Sequence, residues 1–582
     1  MSGFTIEAGP RHTSILYFHG MGTPKRYEEL TRVLDSLDRF AEAANDDLRI
    51  GRLREQIVKL EPSRAGVDEP VAYIAFSRLL EVPNKGKRRV GLFRLYESYW
   101  SPQAAGGVSP LSVLLWVIGR IRNPFAVLLR PWRAHQRLAL TFLYRLAFDR
   151  RKIPVARFQR LMTSYRSFEG MDQRRLHPAG WFHEFLRSVT AATDDKAEAA
   201  QLAADARAWR RSLIAAQLQV LVVAVFVAAL LFGVATLAIA VLVALFQIIG
   251  LPLAYASGLE ARNAILPGWI LLGAAIGLPL GAVGVSAFFR NFLSDVVFWT
   301  TIFEKDVRYQ KRRDILKACE ATLIHALSDP QCERVVIVAH SLGTAIAYET
   351  LLNLGRRSRA QENRDALANG LRLEPLFSKL SHFVTFGSPI DRIAYFFSLQ
   401  YSRYHRFNRV VDDLRGTVSD SPFRVQKART LQWINIRDAA DPVASRLFSP
   451  RGRLPNREEI IEIEASSSHA PDPAAAHGSY FDGALGARVL FDSCILDRKQ
   501  VQAHHGRSKL SLGYTTWARR LFWAMTALAL LCLTAGAVGY WTMSPALAVI
   551  SQGLCGAALI VIVLLMVSGK IFDRISSLKL PA

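Results

Sequence analysis

The chain has 582 residues, of which 51% are hydrophobic and 21% are charged, so its apolar residues must be concentrated in blocks beside ordinary globular sequence. The formal net charge of +24 suits nucleic acid or an anionic membrane surface, but no zinc-ligand spacing, RNA-binding signature or basic tail accompanies it. The composition therefore argues against nucleic acid and favours a lipid bilayer with anionic headgroups as the partner. Five scattered cysteines argue against a disulfide framework and favour reduced thiols facing the cytosol.

The first predicted element is a short apolar strand over residues 15–18 that runs into a turn at His19 and Gly20. Apolar residues at helical spacing over residues 27–40 then suit a crossover helix, and residues 90–100 resemble a further strand. Two interpretations of the turn stay open on the sequence alone. It is either part of a functional site or an ordinary glycine turn in which His19 is a structural histidine.

Residues 101–212 are interpreted as an insertion, of which the part from 151 to 211 is rich in arginine, mostly helical in pattern and without a recognisable catalytic motif. Their apolar stretch, residues 111–129, is interrupted by Arg120, Arg122 and Pro124. Each arginine at a bilayer centre costs roughly 2.5–3.5 kcal/mol on insertion scales, so this stretch is not predicted to span a membrane. Two interpretations of residues 111–129 have equal weight: a segment at the membrane surface, or a buried pair of helices.

Four apolar blocks are each long enough to cross a hydrocarbon core of about 30 Å as a helix: residues 217–249, 266–289, 521–540 and 546–568. Basic residues flank the outer ends of both pairs, so the positive-inside rule places both termini and the segment between the pairs in the cytoplasm. The first fourteen residues lack the apolar core of a signal peptide. We expect an integral membrane protein with four transmembrane helices, and its composition suits a bacterial inner membrane.

The functional prediction depends on residues 334–348. A run of branched apolar residues ends at Ala339-His340-Ser341-Leu342-Gly343 and continues with helical spacing, which is typical of a buried parallel strand that feeds directly into a helix. Ala339 and Gly343 are small, as a serine on so sharp a turn requires. Such a turn exposes Ser341 and points a helix N-terminus at it, so the backbone N–H of Leu342 can face a developing oxyanion.

Three further strands are predicted downstream, over residues 383–386, 431–437 and 459–464. Asp391 follows the first of them, and Asp438 and Asp441 follow the second. Catalytic groups of open α/β sheets lie beyond the carboxyl ends of strands, so all three carboxylates are candidates. His469 and His477 follow the last strand, in a loop that precedes a helical stretch.

A His-Gly turn, a serine elbow, an Asp-Pro-Val loop and a late histidine occur here in the order typical of one superfamily. With them the chain resembles the lipase and esterase branch of the α/β-hydrolases over residues 12–100 and 315–500. The usual Gly-x-Ser-x-Gly motif has Ala339 in its first position, which is a mild departure. The resemblance implies an α/β fold: a hydrolase sheet with helices on both faces, interrupted by one transmembrane hairpin and followed by another.

The resemblance also implies the roles of individual residues. Ser341 is the expected nucleophile, Asp441 the acid and His477 the base, and this chain order differs from those of chymotrypsin and subtilisin. The base would take the proton of the serine hydroxyl, and the carboxylate would fix the imidazole tautomer. The backbone N–H groups of Met21 and Leu342 are the expected oxyanion hole. No cofactor and no metal are expected.

Alternatives to these assignments stay open. Asp438 is the second choice for the acid and Asp391 the third, and His469 competes with His477 for the base. The aromatic segment 395–407 is either a lid or simply core. The pair at 504–505 is interpreted as solvated histidines, because no carboxylate or cysteine at ligand spacing joins it.

The leading hypothesis is a membrane-anchored serine hydrolase that cleaves carboxylic esters of lipids or other acyl compounds through an acyl-serine intermediate. A catalytically silent scaffold, an acyltransferase and a channel are the alternatives, and the near absence of ionisable residues inside the apolar blocks argues against the channel. If the strands at Ile15 and Val335 share one sheet, an even number of membrane crossings must separate them. The predicted domains are 1–100 (hydrolase, first part), 101–212 (insertion), 213–290 (first hairpin), 291–510 (hydrolase, second part) and 511–582 (second hairpin).

Overall fold

A computed structural model describes the chain in sections. The described residues are 11–20, 25–43, 53–65, 70–81, 88–104, 307–362, 372–391, 421–423, 431–438, 460–465, 473–498 and 545–578, with scattered positions within 183–207, 299, 393, 441–447 and 517–535. Everything stated below about the structure concerns these residues.

The N-terminal part contains four strands and two helices. In chain order they are β1 (His12–Phe18), α1 (Glu28–Ala43), β2 (Arg54–Glu61), β3 (Val71–Glu81), β4 (Arg88–Ser98) and the short α2 (Ser101–Ala104). The predicted strand at 15–18, helix at 27–40 and strand at 90–100 are confirmed as β1, α1 and β4. β2 and β3 were not predicted.

The second part of the chain supplies the other four strands. Its elements are α3 (Val307–Ser328), β5 (Cys332–His340), α4 (Leu342–Glu362), α5 (Leu373–Leu376), a 3₁₀ turn (Phe377–Lys379), β6 (Leu380–Phe386), β7 (Gln432–Asp438), β8 (Ile460–Ala465), α6 (Pro473–Gly478), α7 (Ala484–Leu490), a π-helical turn (Phe491–Ile495) and α8 (Pro545–Leu578). The elbow and all three strands predicted downstream of it are present.

The eight strands form one mixed sheet in the order β2-β3-β4-β1-β5-β6-β7-β8. From β4 to β8 every neighbouring pair is parallel, whereas β3 pairs antiparallel with both β2 and β4. Ile15 of β1 lies opposite Val336 of β5, so strands on either side of residues 105–306 are neighbours in the sheet. The architecture is therefore α/β, and all carboxyl ends of the parallel strands meet at one edge.

The core lies on both faces of the sheet, as a sheet buried between helices requires. β6 is buried at every position, and β5 is buried at every position except Glu333. One face packs against apolar residues of α3 and α4, and the other packs against α1 and α7. These continuous apolar strands hold the loops at their carboxyl ends in fixed positions.

Within the described part of the chain, no helix is both long enough and apolar enough to cross a membrane. The predicted spans at 217–249 and 266–289 lie outside the described residues, and the one at 521–540 is described only in part. The fourth predicted span, 546–568, falls within α8, and this finding gives it no support. All five cysteines are buried with free thiols.

Candidate active site

Ser341 occupies the junction between β5 and α4 in a strained conformation. Its φ angle is +53°, in the left-handed region that residues other than glycine rarely adopt. The turn is held on both sides: the Ser341 N–H donates to the Phe386 carbonyl at 2.9 Å, and the Thr344 hydroxyl donates to the Ser341 carbonyl at 2.7 Å. Because α4 begins at Leu342, its N-terminus lies next to the serine.

A continuous hydrogen-bond chain joins the three residues predicted as nucleophile, base and acid. His477 Nε2 lies 2.8 Å from Ser341 Oγ, and His477 Nδ1 lies 2.8 Å from Asp441 Oδ2. These residues come from three separate places at the carboxyl edge of the sheet: after β5, after β7 and after β8. His477 lies in the last turn of α6, not in a loop as predicted. The side chain of Asp441 is fully buried, whereas that of His477 is 13% exposed.

Asp441 is held as a carboxylate by further donors. The Tyr480 hydroxyl donates to its Oδ2 at 2.7 Å, and the Val443 N–H donates to its Oδ1 at 2.8 Å. Burial by itself raises the pKa of Asp441, but the facing His477 and the hydrogen bonds from Tyr480 and Val443 outweigh it and leave the pKa below its usual value. The acid is therefore ionised at neutral pH.

The end of β1 packs directly against the elbow. A Cβ atom added at Gly343 would lie 2.3 Å from the His19 carbonyl oxygen, and one at Gly20 would lie 3.0 Å from Ser341 Cβ. The predicted turn thus lies beside the predicted nucleophile. The backbone that requires a small residue at Gly343 is that of the end of β1. Met21 lies outside the described residues.

His19 is a buried, neutral histidine in the structure. The Trp100 N–H donates to its Nε2 at 3.2 Å, which leaves Nδ1–H to donate to the Gly20 carbonyl at 2.9 Å. Its ring stacks on Trp100 with centroids 4.6 Å apart, and burial lowers its pKa to about 4. Of the two interpretations of the turn, this arrangement gives His19 a structural role, which is to hold the backbone of the turn beside Ser341.

The alternative acids and bases are placed as follows. Asp438 is buried, and its backbone N–H donates to the Tyr480 hydroxyl at 2.8 Å; the side chain that contacts His477 is that of Asp441. Asp391 follows β6 on another turn. His469, the histidines at 504–505 and the aromatic segment 395–407 lie outside the described residues.

Two residues near this chain of hydrogen bonds had no predicted role there. Tyr480 bridges Asp441 and the loop of Asp438, and its only signal in the sequence is its position three residues after His477. His340, named above only as part of the elbow, has its ring stacked on that of His477 with centroids 5.0 Å apart.

Among the residues that the structure describes, no group of three or more His, Cys, Asp or Glu side chains could hold a metal ion. The site is thus defined by a serine, an imidazole and a carboxylate in hydrogen-bond contact. Comparisons of the chain with protein-family models, with curated proteins and with solved structures found no match.

Proposed function

We propose that this protein is a serine hydrolase of the α/β-hydrolase type that cleaves carboxylic esters through an acyl-Ser341 intermediate. The observation that carries the proposal is the unbroken chain from Ser341 Oγ through the His477 ring to Asp441, with 2.8 Å at each step. A nucleophile in contact with a base that is itself oriented by a third group is the arrangement that activates a serine hydroxyl.

The proposed reaction begins with attack of Ser341 Oγ on the ester carbonyl carbon while His477 Nε2 takes the hydroxyl proton. The backbone N–H of Leu342, at the start of α4, stabilises the oxyanion that develops, and the Met21 N–H is the second donor that the resemblance to lipases implies. The tetrahedral intermediate collapses as His477 returns the proton to the leaving alcohol. Water then attacks the acyl-serine by the same route and regenerates the free hydroxyl.

Asp441 has two functions in this scheme. It accepts a hydrogen bond from the Nδ1–H of His477, which leaves Nε2 free to act as base, and it stabilises the imidazolium that forms. Its complete burial strengthens this interaction, since little solvent screens the pair. The donors from Tyr480 and Val443 keep the carboxylate oriented towards the ring.

The proposed substrates are lipid or other acyl esters met at the cytoplasmic face of a membrane. Support comes from the apolar blocks of the sequence and from α8, where Ile560, Val563 and Leu564 are each more than half exposed. We attribute this exposed apolar surface to association with a bilayer. Fractionation of cells followed by alkaline extraction tests the attribution, because a protein released quantitatively by carbonate is not embedded in lipid.

Labelling with a fluorophosphonate probe tests the proposed chemistry. Detergent-solubilised wild type should be labelled covalently, Ser341→Ala should not be labelled, and His477→Ala should be labelled at least about a thousandfold more slowly. Ser388→Ala is the matched control: the hydroxyl of this buried serine lies 2.9 Å from the Thr344 hydroxyl beside the elbow and outside the chain from Ser341 to Asp441, so its loss should leave labelling within a fewfold of wild type. A folded wild type that is never labelled would contradict the proposal and favour a silent scaffold.

If labelling succeeds, the fate of the acyl group separates hydrolysis from acyl transfer. Release of free carboxylic acid from a short-chain ester supports the proposed hydrolase. Accumulation of a new ester when an alcohol acceptor is added, without release of acid, would favour an acyltransferase that uses the same residues.

A further inference from the structure

The segment that carries His477 is short and is held in place by side chains. Helix α6 has only six residues, and His477 is in its last turn. Three backbone carbonyls of this segment accept hydrogen bonds from other elements: His340 Nε2 to His477 at 3.0 Å, Arg32 to Gly478 at 2.9 Å and Ser36 to Phe481 at 2.7 Å. The position of the imidazole between Ser341 and Asp441 therefore depends on these contacts.

Of these donors, His340 is the one that also contacts the ring of His477. The two rings are stacked with centroids 5.0 Å apart and an interplanar angle of 30°, and the rings of Phe481 and His340 meet at 69° with centroids 5.5 Å apart. His340 is the last residue of β5, so its backbone is fixed by the central sheet. His340 thus holds His477 in two ways: it donates a hydrogen bond to the His477 carbonyl, and its ring is stacked on the His477 ring.

The protonation state of His340 follows from its surroundings. Burial, and then the facing His477, lower its pKa to about 4, so the ring is neutral at the pH where serine hydrolases work. Because Nε2 faces a carbonyl oxygen, the single proton of the neutral ring must lie on Nε2. A neutral aromatic face can stack on His477 when that ring becomes an imidazolium, whereas a second cation would oppose it.

We propose that His340 is a positioning residue for His477, which it holds through a hydrogen bond to the main chain and a stacked ring. The inference rests on the proposed function, because it assigns a role in the reaction of Ser341. It predicts that the residue before the nucleophile affects the rate of acylation more than the binding of substrate, since a displacement of about 1 Å at a reacting group costs on the order of a hundredfold in rate.

Two substitutions separate the two contacts. His340→Phe keeps an aromatic ring against His477 but removes the donor, so the His477 carbonyl loses its partner. His340→Gln keeps an N–H donor at nearly the same distance from the backbone but removes the stacked ring. We expect His340→Phe to lower kcat for a soluble ester by roughly 10- to 100-fold with little change in KM, and His340→Gln to recover most of that loss.

Hydrogen exchange of the peptide spanning residues 473–483 supplies a readout that does not depend on activity. Exchange should be faster in His340→Phe, close to wild type in His340→Gln, and unchanged in both variants across β6. Equal exchange of this peptide in all three proteins would overturn the proposed anchoring, as would full activity of His340→Phe.

The combined outcomes distinguish failure of the inference from failure of the proposed function. If wild type is never labelled by the fluorophosphonate while the exchange of residues 473–483 still responds to His340→Phe, the serine chemistry is wrong although the contact is real. If wild type is labelled and neither variant changes kcat, the positioning role is wrong and the serine hydrolase stands. If His340→Phe does not fold, His340→Ala, which removes both the donor and the ring, takes its place. A lower acylation rate together with faster exchange of residues 473–483 in His340→Ala, both largely restored in His340→Gln, supports the inference, and wild-type rate and exchange in His340→Ala overturn it.

Discussion

The substitution Gly343→Ala tests whether β1 and the elbow form one site. A Cβ atom at position 343 would lie 2.3 Å from the carbonyl oxygen of His19 and 2.5 Å from that of Phe18. Ordinary contact begins near 3.4 Å, so α4 and the end of β1 must separate by about 1 Å. Both clashing atoms are backbone atoms, which cannot rotate away as a flexible side chain would.

Two magnitudes follow from this displacement. Overpacking a tightly packed interior costs typically 1–3 kcal/mol, so the free energy of unfolding should fall by about that amount. A displacement of about 1 Å at a reacting group costs on the order of a hundredfold in rate, and here the turn that follows β1, where the second oxyanion donor is proposed, moves relative to Ser341. The rate of fluorophosphonate labelling should therefore fall by about two orders of magnitude in a protein that still folds.

The matched control is Gly478→Ala, since Gly478 follows His477 directly and a Cβ atom there would meet nothing within 4 Å. This variant should be labelled at a rate close to wild type and should melt at the same temperature or slightly higher, because replacing glycine with alanine restricts the unfolded chain. Thermal unfolding and labelling rates of both variants are the measurements that test the close approach of β1 to Gly343. A Gly343→Ala protein that melts and reacts like wild type would refute the close approach of β1 to the elbow.

Three other predictions concern single side chains. Asp441→Asn should slow labelling by roughly 10⁴-fold because the amide cannot hold the productive His477 tautomer, whereas Asp438→Asn should stay within tenfold of wild type. Tyr480→Phe removes the hydroxyl that Asp441 accepts from, so denaturant titration should show a loss of about 1.5–3 kcal/mol; an unchanged midpoint would contradict that contact. Burial, and then Arg94, lower the pKa of His12 to about 4, so stability is fully present above the unfolded pKa near 6.5 and declines as pH falls towards 4. His12→Gln should flatten that decline in unfolding curves recorded between pH 7 and pH 4, and an unchanged slope would exclude His12 as its origin.

The sequence pattern of a few neighbouring residues was enough to predict some of the strands and turns. The branched apolar run before Ser341 predicted a buried parallel strand, because a strand covered on both faces has no polar face to alternate with. β2 was not predicted, because its apolar residues do not mark a buried strand. It lies at the edge of the sheet and exposes Ile57, Val58 and Leu60, so its apolar residues follow no buried face that a period of two would reveal.

What the sequence by itself determined is the α/β class, the turn at Ser341 and a short set of candidates for acid and base, since each depends on residue type and near neighbours. The resemblance ranked Asp441 above Asp438, but the contact that distinguishes them is visible only in the tertiary structure, because the two carboxylates are three residues apart on one loop and only Asp441 contacts His477. The contacts of Tyr480 and His340 with this site were likewise invisible in the sequence. Such contacts join the ends of β5, β7 and β8, and they exist only because parallel strands bring their carboxyl ends to one edge of the sheet.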